Sequence, residues 1–74
     1  MMLVKYVEIT GRIITKCEER KELFIELPNK HTVQCKDVIN IDKYKINDKV
    51  KVKGKGIIII DNIVRIVDSN IEIL

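Results

Sequence analysis

The sequence predicts an all-β domain, and three observations lead to this prediction. Fifteen Ile, eight Val and three Thr make 26 of the 74 residues β-branched, whereas Ala, the strongest helix former, is absent. Apolar residues alternate with polar ones along several stretches, which is the period of a strand with one buried face. Gly, Pro, Asn and Asp separate these stretches, as expected for turns. A chain of this length builds one core, so we expect a single domain over residues 1–74, with its core at about residues 3–68 and a short tail at residues 69–74.

The alternation predicts three strands in the first half of the chain. Residues 3–17 form the first strand, in which Gly11 marks a bend or a bulge. After a charged loop, residues 23–27 form the second strand, with Phe24 on its outward face. A Pro-Asn-Lys turn ends this strand, and residues 31–36 form the third. The residues predicted to face inward on these strands are Val7, Ile9, Gly11, Ile13, Thr15, Cys17, Leu23, Ile25, Leu27, Val33 and Cys35.

The second half of the chain is predicted to hold a helical turn and two further strands. Residues 37–48 show no clean alternation, and a short turn of helix fits there. Residues 49–53 are the clearest strand in the chain, with Val inward and Lys outward. Gly54-Lys55-Gly56 predicts a tight hairpin, because glycine adopts positive φ angles readily, and the fifth strand follows it. Residues 57–67 fit either one bulged strand or two strands joined by a turn at Asp61-Asn62.

Three stretches of sequence resemble a known family of small barrels. They are Thr10-Gly11-Arg12-Ile13-Ile14, Leu23-Phe24-Ile25-Glu26-Leu27 and Asn47-Asp48-Lys49-Val50-Lys51-Val52-Lys53-Gly54. Over roughly residues 7–68 the chain resembles the OB-fold (oligonucleotide/oligosaccharide-binding) family, in particular the nucleic-acid-binding modules attached to tRNA synthetases and replication proteins. The resemblance implies a five-stranded OB-like β-barrel, closed or partly open, with a short helical turn between strands 3 and 4.

The chain departs from the family pattern in two places. The connector before the fourth strand is shorter than the helix that most members carry there. The loop between the fourth and fifth strands is minimal, although in the family this loop often wraps the ligand. If a ligand is bound, the open face of the barrel and the first loop have to contribute more of the contacts.

The basic charge of the chain is concentrated in one segment. The net charge is +3, but residues 43–55 contain six Lys and one Asp, for +5, which leaves −2 for all other residues. Four of these lysines occupy alternate positions of the fourth strand and span ~20 Å of one face, at ~3.3 Å per residue. Such a row fits a phosphate backbone, since Lys supplies charge without reading sequence. It equally fits a solvated strand face, or lysines that discourage pairing between strand edges.

These residues define a predicted nucleic-acid-binding face. The resemblance implies that outward aromatic residues on strands 2 and 3 stack on bases, which assigns that role to Phe24. Tyr6 and Tyr44 are further stacking candidates, and packing at the rim of the barrel is the alternative for both. Phe24 has an alternative role, because the connector or the C-terminal tail can cover so large an apolar ring. Gln34 is assigned to base edges. The residues predicted to bind phosphates are Arg12, Lys36, Lys49, Lys51, Lys53 and Lys55.

Other classes of function find little support in the sequence. One His and one Ser leave no catalytic triad to assign, so we expect no enzyme activity and no catalytic residues. His31 and Cys35 lie ~13 Å apart along a strand, too far to share a zinc ion, so neither a metal site nor a cofactor is predicted. The longest apolar run, Ile57–Ile60, is far shorter than the ~20 residues of a membrane span. We therefore expect a cytoplasmic protein that does not bind membranes.

The sequence leads to two hypotheses about function. The first is non-catalytic binding of single-stranded DNA, single-stranded RNA or structured RNA through a basic barrel face, and no residue pattern separates DNA from RNA. The second is a protein–protein interaction module or structural subunit that has no nucleic-acid role. In that case a protein partner or a second copy docks on exposed isoleucines such as Ile14, Ile71 and Ile73, or the C-terminal tail adds to a sheet edge.

Overall fold

The computed structural model describes residues 2–74 and contains five strands in one closed barrel. The strand order around the barrel is β1-β2-β3-β5-β4; β3 and β5 are parallel, and every other neighbouring pair is antiparallel. This confirms the predicted all-β fold class, with its five strands and one short helical turn between β3 and β4. The elements are β1 (Met2–Cys17), β2 (Glu22–Glu26), β3 (Thr32–Cys35), a 3-10 turn (Ile41–Lys43), β4 (Lys49–Ile59) and β5 (Asn62–Ile73).

The predicted hairpin at Gly54-Lys55-Gly56 is wrong, because β4 runs through these residues without a break. Neither glycine has a positive φ angle. Both face the barrel interior, where neighbouring strands leave no room for a side chain. A Cβ atom on Gly54 would lie 2.8 Å from the Val67 carbonyl oxygen, and one on Gly56 would lie 2.6 Å from Cγ2 of Val7. The glycines are therefore needed for close approach between strands and not for a turn.

The turn between β4 and β5 lies at Ile60-Asp61. Ile59 pairs with Asn62, and the two residues between them have φ angles of 49° and 63°, as in a type I′ hairpin. Residues 57–67 therefore form two strands and a turn, placed one residue before the predicted Asp61-Asn62. Ile60 is 78% exposed. A β-branched residue with a positive φ angle is strained, and its exposed side chain gains little packing in return.

The C-terminal residues belong to the barrel and do not form the expected tail. Asp68 has a φ angle of 52°, and the pairing of β4 with β5 shifts at this position, so Asp68 forms a bulge. The strand continues beyond the bulge to Ile73. Ile71 pairs with Val52 and is buried, which removes it from the exposed isoleucines available for docking.

The first strand pairs with two neighbouring strands in succession. Residues 2–12 pair with β4 and residues 12–17 pair with β2, so β1 turns a corner of the barrel. The pairing with β2 shifts between Ile13 and Thr15, which makes Ile14 the extra residue of a bulge. Beyond this bulge the predicted alternation no longer holds. Thr15 is exposed, although it was predicted to face inward.

The core consists of inward residues from all five strands together with the connector before β4. Tyr44, which follows the 3-10 turn, belongs to this core, and its hydroxyl donates to the Ile71 carbonyl at 3.4 Å. The Nζ of Lys16 on β1 donates to the Tyr44 carbonyl at 2.9 Å and links the connector to β1. The fully buried side chains are Ile13, Leu23, Ile25, Val33, Cys35, Val50, Val52 and Ile66.

Replacing Ile60 by Asn should stabilise the barrel. Asn adopts positive φ angles more readily than a β-branched residue, so Ile60→Asn should raise the free energy of unfolding by about 1 kcal/mol. Urea denaturation measures this change. Ile39→Asn is the matched control, because Ile39 is 80% exposed without a positive φ angle. An equal gain in both variants would contradict strain at the turn.

The buried thiol of Cys35 should make stability fall at alkaline pH. Burial raises the pKa of Cys35 from 9.0 to about 12. Below pH 9 the thiol is neutral in both the folded and the unfolded chain, and the group does not affect stability. Above pH 9 only the unfolded chain loses the proton, so the free energy of unfolding should fall by ~1.4 kcal/mol per pH unit until pH 12.

The Cys35→Val variant isolates this effect. Burial also raises the pKa of Tyr44, whose usual value is 10.0, so the interval between pH 9 and pH 10 reports mainly on Cys35. Urea denaturation across that interval should show a smaller slope in Cys35→Val than in the wild type. Equal slopes would show that the Cys35 thiol does not cause the loss of stability.

Candidate nucleic-acid interface

The lysine row, which we define as Lys49, Lys51, Lys53 and Lys55, lies on the outer face of β4. It alternates with buried Val50, Val52 and Gly54. Because β4 continues through both glycines, the row is unbroken and lies along the middle of a three-stranded sheet, between β1 and β5. The predicted alternation along this strand, with Lys outward and Val inward, is therefore present in the structure.

Acidic side chains from both neighbouring strands lie beside most of the row. Lys53 Nζ lies 3.5 Å from Glu8 Oε1 on β1, and Lys55 Nζ lies 3.4 Å from Asp68 Oδ2 at the bulge of β5. Glu72 on β5 is directly opposite Lys51 in register. Three of the four lysines therefore have a carboxylate beside them, which lowers the positive potential along this part of the face.

The Lys49 end of the row differs, because it opens onto a cleft of about 350 Å³. Lys49 is directly opposite Arg12 on β1, and Lys30 lines the same cleft from the β2–β3 loop. Within residues 2–74, none of these three cations has an ion pair within 4.0 Å. Glu26, opposite Arg12 on β2, is the one acidic residue among the residues lining the cleft, which are Thr10, Gly11, Arg12, Glu26, Leu27, Pro28, Lys30 and Lys49. The cleft therefore concentrates positive charge.

Close backbone contacts shape this cleft. A Cβ atom on Gly11 would lie 2.5 Å from the Glu26 carbonyl oxygen, so glycine lets β1 approach the end of β2. The loop that follows is tight: the amide of Leu27 donates to the His31 carbonyl at 2.8 Å, and the amide of Lys30 donates to the Leu27 carbonyl at 2.9 Å. These bonds position Lys30 across the cleft from Lys49.

A second polar surface lies on the outer face of β2, β3 and β5. Phe24 on β2 is half-buried and pairs with Gln34 on β3. Arg65 on β5 pairs with Gln34 in turn, and its Nε donates to Gln34 Oε1 at 2.9 Å. The Gln34 carbonyl oxygen, predicted to contact base edges, therefore already accepts a hydrogen bond. Lys36, just beyond β3, is half-buried.

The structure does not bring all the predicted site residues together. In the barrel order, β4 is separated from β2 by β1 and from β3 by β5, so the lysine row faces away from Phe24, Gln34 and Lys36. Arg12 and Lys49 do meet, at the cleft. Tyr44 is 5% exposed and belongs to the core, so its ring is not accessible to a base. Tyr6, opposite Lys55, is 71% exposed and is the accessible tyrosine on this face.

Three charged residues near these surfaces were not among the predicted site residues. Lys30 reaches the cleft because its loop folds tightly, and its position in a turn does not predict this contact from the sequence. Glu26 and Arg65 are outward residues of apolar strands, and the alternation predicts their exposure but not their partners. Among residues 2–74, no three His, Cys, Asp or Glu side chains are arranged to hold a metal ion.

Comparison with family models, curated proteins and solved structures found no match to this chain. In the described part of the chain, no helix has the length and apolar character needed to cross a membrane.

Proposed function

We propose that this chain is an OB-type module that binds single-stranded nucleic acid or structured RNA without catalysing a reaction. The observation that carries the proposal is the cleft in which Arg12, Lys30 and Lys49 meet without an ion pair among residues 2–74. The five-stranded order, with β1 shared between two neighbours, supports the OB-type assignment. Fold alone does not assign a ligand, so the charges of the cleft carry the argument.

The cleft is the proposed anchor for a phosphate group, and the lysine row extends from it. Cations at the cleft gain a phosphate partner without first giving up a carboxylate. Lys51, Lys53 and Lys55 add charge along the path of the backbone after exchanging their acidic neighbours for phosphates. Lys and Arg contacts to phosphates carry no base information, so this module should bind with little sequence preference. Tyr6, beside Lys55, is the residue positioned to stack on a base.

A protein-interaction module is the second candidate function. The observation that favours it is the exposed apolar surface formed by Met2, Val4, Tyr6 and Ile59 at the end of the barrel sheet. Absence of nucleic-acid binding in the experiment below would favour this candidate over the first.

Charge reversal in the cleft should weaken binding more than charge reversal in the lysine row. Arg12→Glu and Lys49→Glu each change the charge by the same amount as Lys55→Glu, but only the first two act at the cleft. We expect the cleft variants to lose at least tenfold in affinity for a mixed-sequence single strand of about 16 nucleotides, the upper end of OB-fold site sizes. Lys55→Glu should lose only a few-fold, because Lys55 already lies beside Asp68.

Fluorescence anisotropy over a salt series provides the measurement. Each phosphate contact removed should lower the slope of log affinity against log salt by ~0.7 for a single strand. Equal losses in all three variants would show that only net charge matters and would contradict a cleft site. Binding that vanishes above ~50 mM salt in the wild type would contradict the proposed function itself.

Neutralising one acidic neighbour should have the opposite effect. Glu8→Gln releases Lys53 from its ion pair and keeps the shape of the side chain, so affinity for the same oligonucleotide should rise a few-fold. Glu19→Gln is the control, since it makes the same change in the exposed loop between β1 and β2, away from the row. An unchanged affinity in Glu8→Gln would show that Lys53 does not contact the nucleic acid.

A further inference from the structure

The first residues of β1 form an exposed apolar surface at the end of the barrel sheet. Val4 is 54% exposed and Tyr6 is 71% exposed, and both lie on the outer face. In register they are opposite Ile57 and Lys55 of β4, while Met2 is opposite the exposed Ile59. Surface clusters of large apolar side chains mark sites of association more often than scattered single residues do.

The same residues form an unpaired strand edge. From Met2 to Gly11, β1 pairs with β4 on one side, and its pairing with β2 begins only at Arg12. Within residues 2–74, no strand pairs with the opposite edge of this segment. An unpaired edge of this length is a ready template for another strand, because its backbone N–H and C=O groups are already aligned.

We infer that this edge pairs with the same edge of a second copy of the chain, antiparallel and with a two-fold axis at Val4. A two-fold contact places the same segment on both sides and closes after two copies. In antiparallel pairing, directly opposite side chains lie on the same face of the sheet, so outward residues must meet outward residues. The axis at Val4 satisfies this condition, since it places Met2 of each copy opposite Tyr6 of the other.

Charge selects this register over the neighbouring one. With the axis at Val4, each Lys5 lies opposite Leu3 of the other copy. Moving the axis one residue toward the C-terminus, to Lys5, would place the two Lys5 side chains directly opposite each other, and like charges directly opposite are destabilising. Lys5 is the only charged residue between Met2 and Val7, so a second copy meets no other repulsion along this edge.

The area of the edge predicts a dimer that depends on concentration. Fully exposed aliphatic side chains contribute roughly 60–120 Å² each and an aromatic one about 200 Å², so Met2, Leu3, Val4 and Tyr6 together expose roughly 300 Å² per copy. Two copies supply about half of the ~1,200 Å² at which stable interfaces begin. Backbone hydrogen bonds between the two edges add to this apolar contact. Because the apolar area is only about half that of a stable interface, we expect the dimer to dissociate on dilution.

A dimer of this kind would join two barrels through one six-stranded sheet. The two lysine rows would lie on the same face, with both copies of β1 between them, ~14 Å apart at ~4.8 Å per strand. This inference does not rest on the proposed function, because the pairing residues lie outside the cleft and share only Tyr6 with the proposed path of the nucleic acid.

Opposite charges at the axis test the inference directly. Light scattering coupled to size exclusion should show that the wild type passes from monomer to dimer between the micromolar and the millimolar range. Val4→Glu and Val4→Lys should each be monomeric, because each places two like charges opposite one another. An equimolar mixture of the two variants should restore the dimer, since Glu then faces Lys.

Two controls keep the outcome clear. Ile39→Glu changes an isoleucine outside β1 that is 80% exposed, more than Val4, and should dimerise like the wild type. Thermal melting of both Val4 variants checks that they fold, and restoration in the mixture shows this as well. A wild type that stays monomeric at every concentration overturns the inference and leaves the edge for a strand of another protein. A mixture that fails to restore the dimer overturns the register at Val4.

Discussion

The barrel depends on close approach between backbones at three inward positions, Gly11, Gly54 and Gly56. At each of them a Cβ atom would lie within 2.8 Å of an atom in another strand. Glycine in a strand is intrinsically unfavourable, by roughly 0.5–1 kcal/mol relative to Ala, so its use at three inward positions indicates a steric requirement. Because Gly54 and Gly56 allow this close approach, β4 continues unbroken through eleven residues and the lysine row is continuous. The close approach at Gly11 brings Arg12 beside Glu26 and forms the cleft.

The electrostatics of the outer face decide which part of the lysine row can hold an anion most readily. Exposed ion pairs are worth about 0–1 kcal/mol, so Lys53 and Lys55 can leave their carboxylates at little cost. The carboxylates nevertheless stay in place after the lysines move, and they repel a phosphate backbone. Among the described residues that line the cleft, Glu26 is the only acid beside Arg12, Lys30 and Lys49. The distribution of acids, more than the number of lysines, therefore determines which part of this face is most favourable for an anion.

Much of the fold could be predicted from local pattern, and the failures have physical causes. Alternation identified the inward residues of β2, β3 and β4, because one buried face imposes its period on each strand. It failed at Gly54-Lys55-Gly56, since glycine serves a turn and a close contact equally well, and only the neighbouring strand decides between them. It left open a turn at Asp61-Asn62, one residue later than the observed Ile60-Asp61, because an isoleucine there takes a conformation that its type disfavours. The cleft could not be predicted as a unit, because Lys30 and Lys49 are far apart in sequence.

The cleft and the free edge of β1 are independent surfaces, although one strand contributes to both. Val4 is opposite Ile57, eight residues along β4 from Lys49, a separation of about 26 Å at ~3.3 Å per residue. Charges separated by more than the Debye length of ≈ 8 Å at physiological salt are largely screened from each other. A charge placed at Val4 therefore has little direct effect on an anion in the cleft, and a charge reversed at Arg12 has little effect on pairing at the edge. Because of this separation, a variant should be able to lose anion binding at the cleft without losing pairing at the β1 edge, and the reverse. A dimer would place two such clefts on one sheet without altering either cleft.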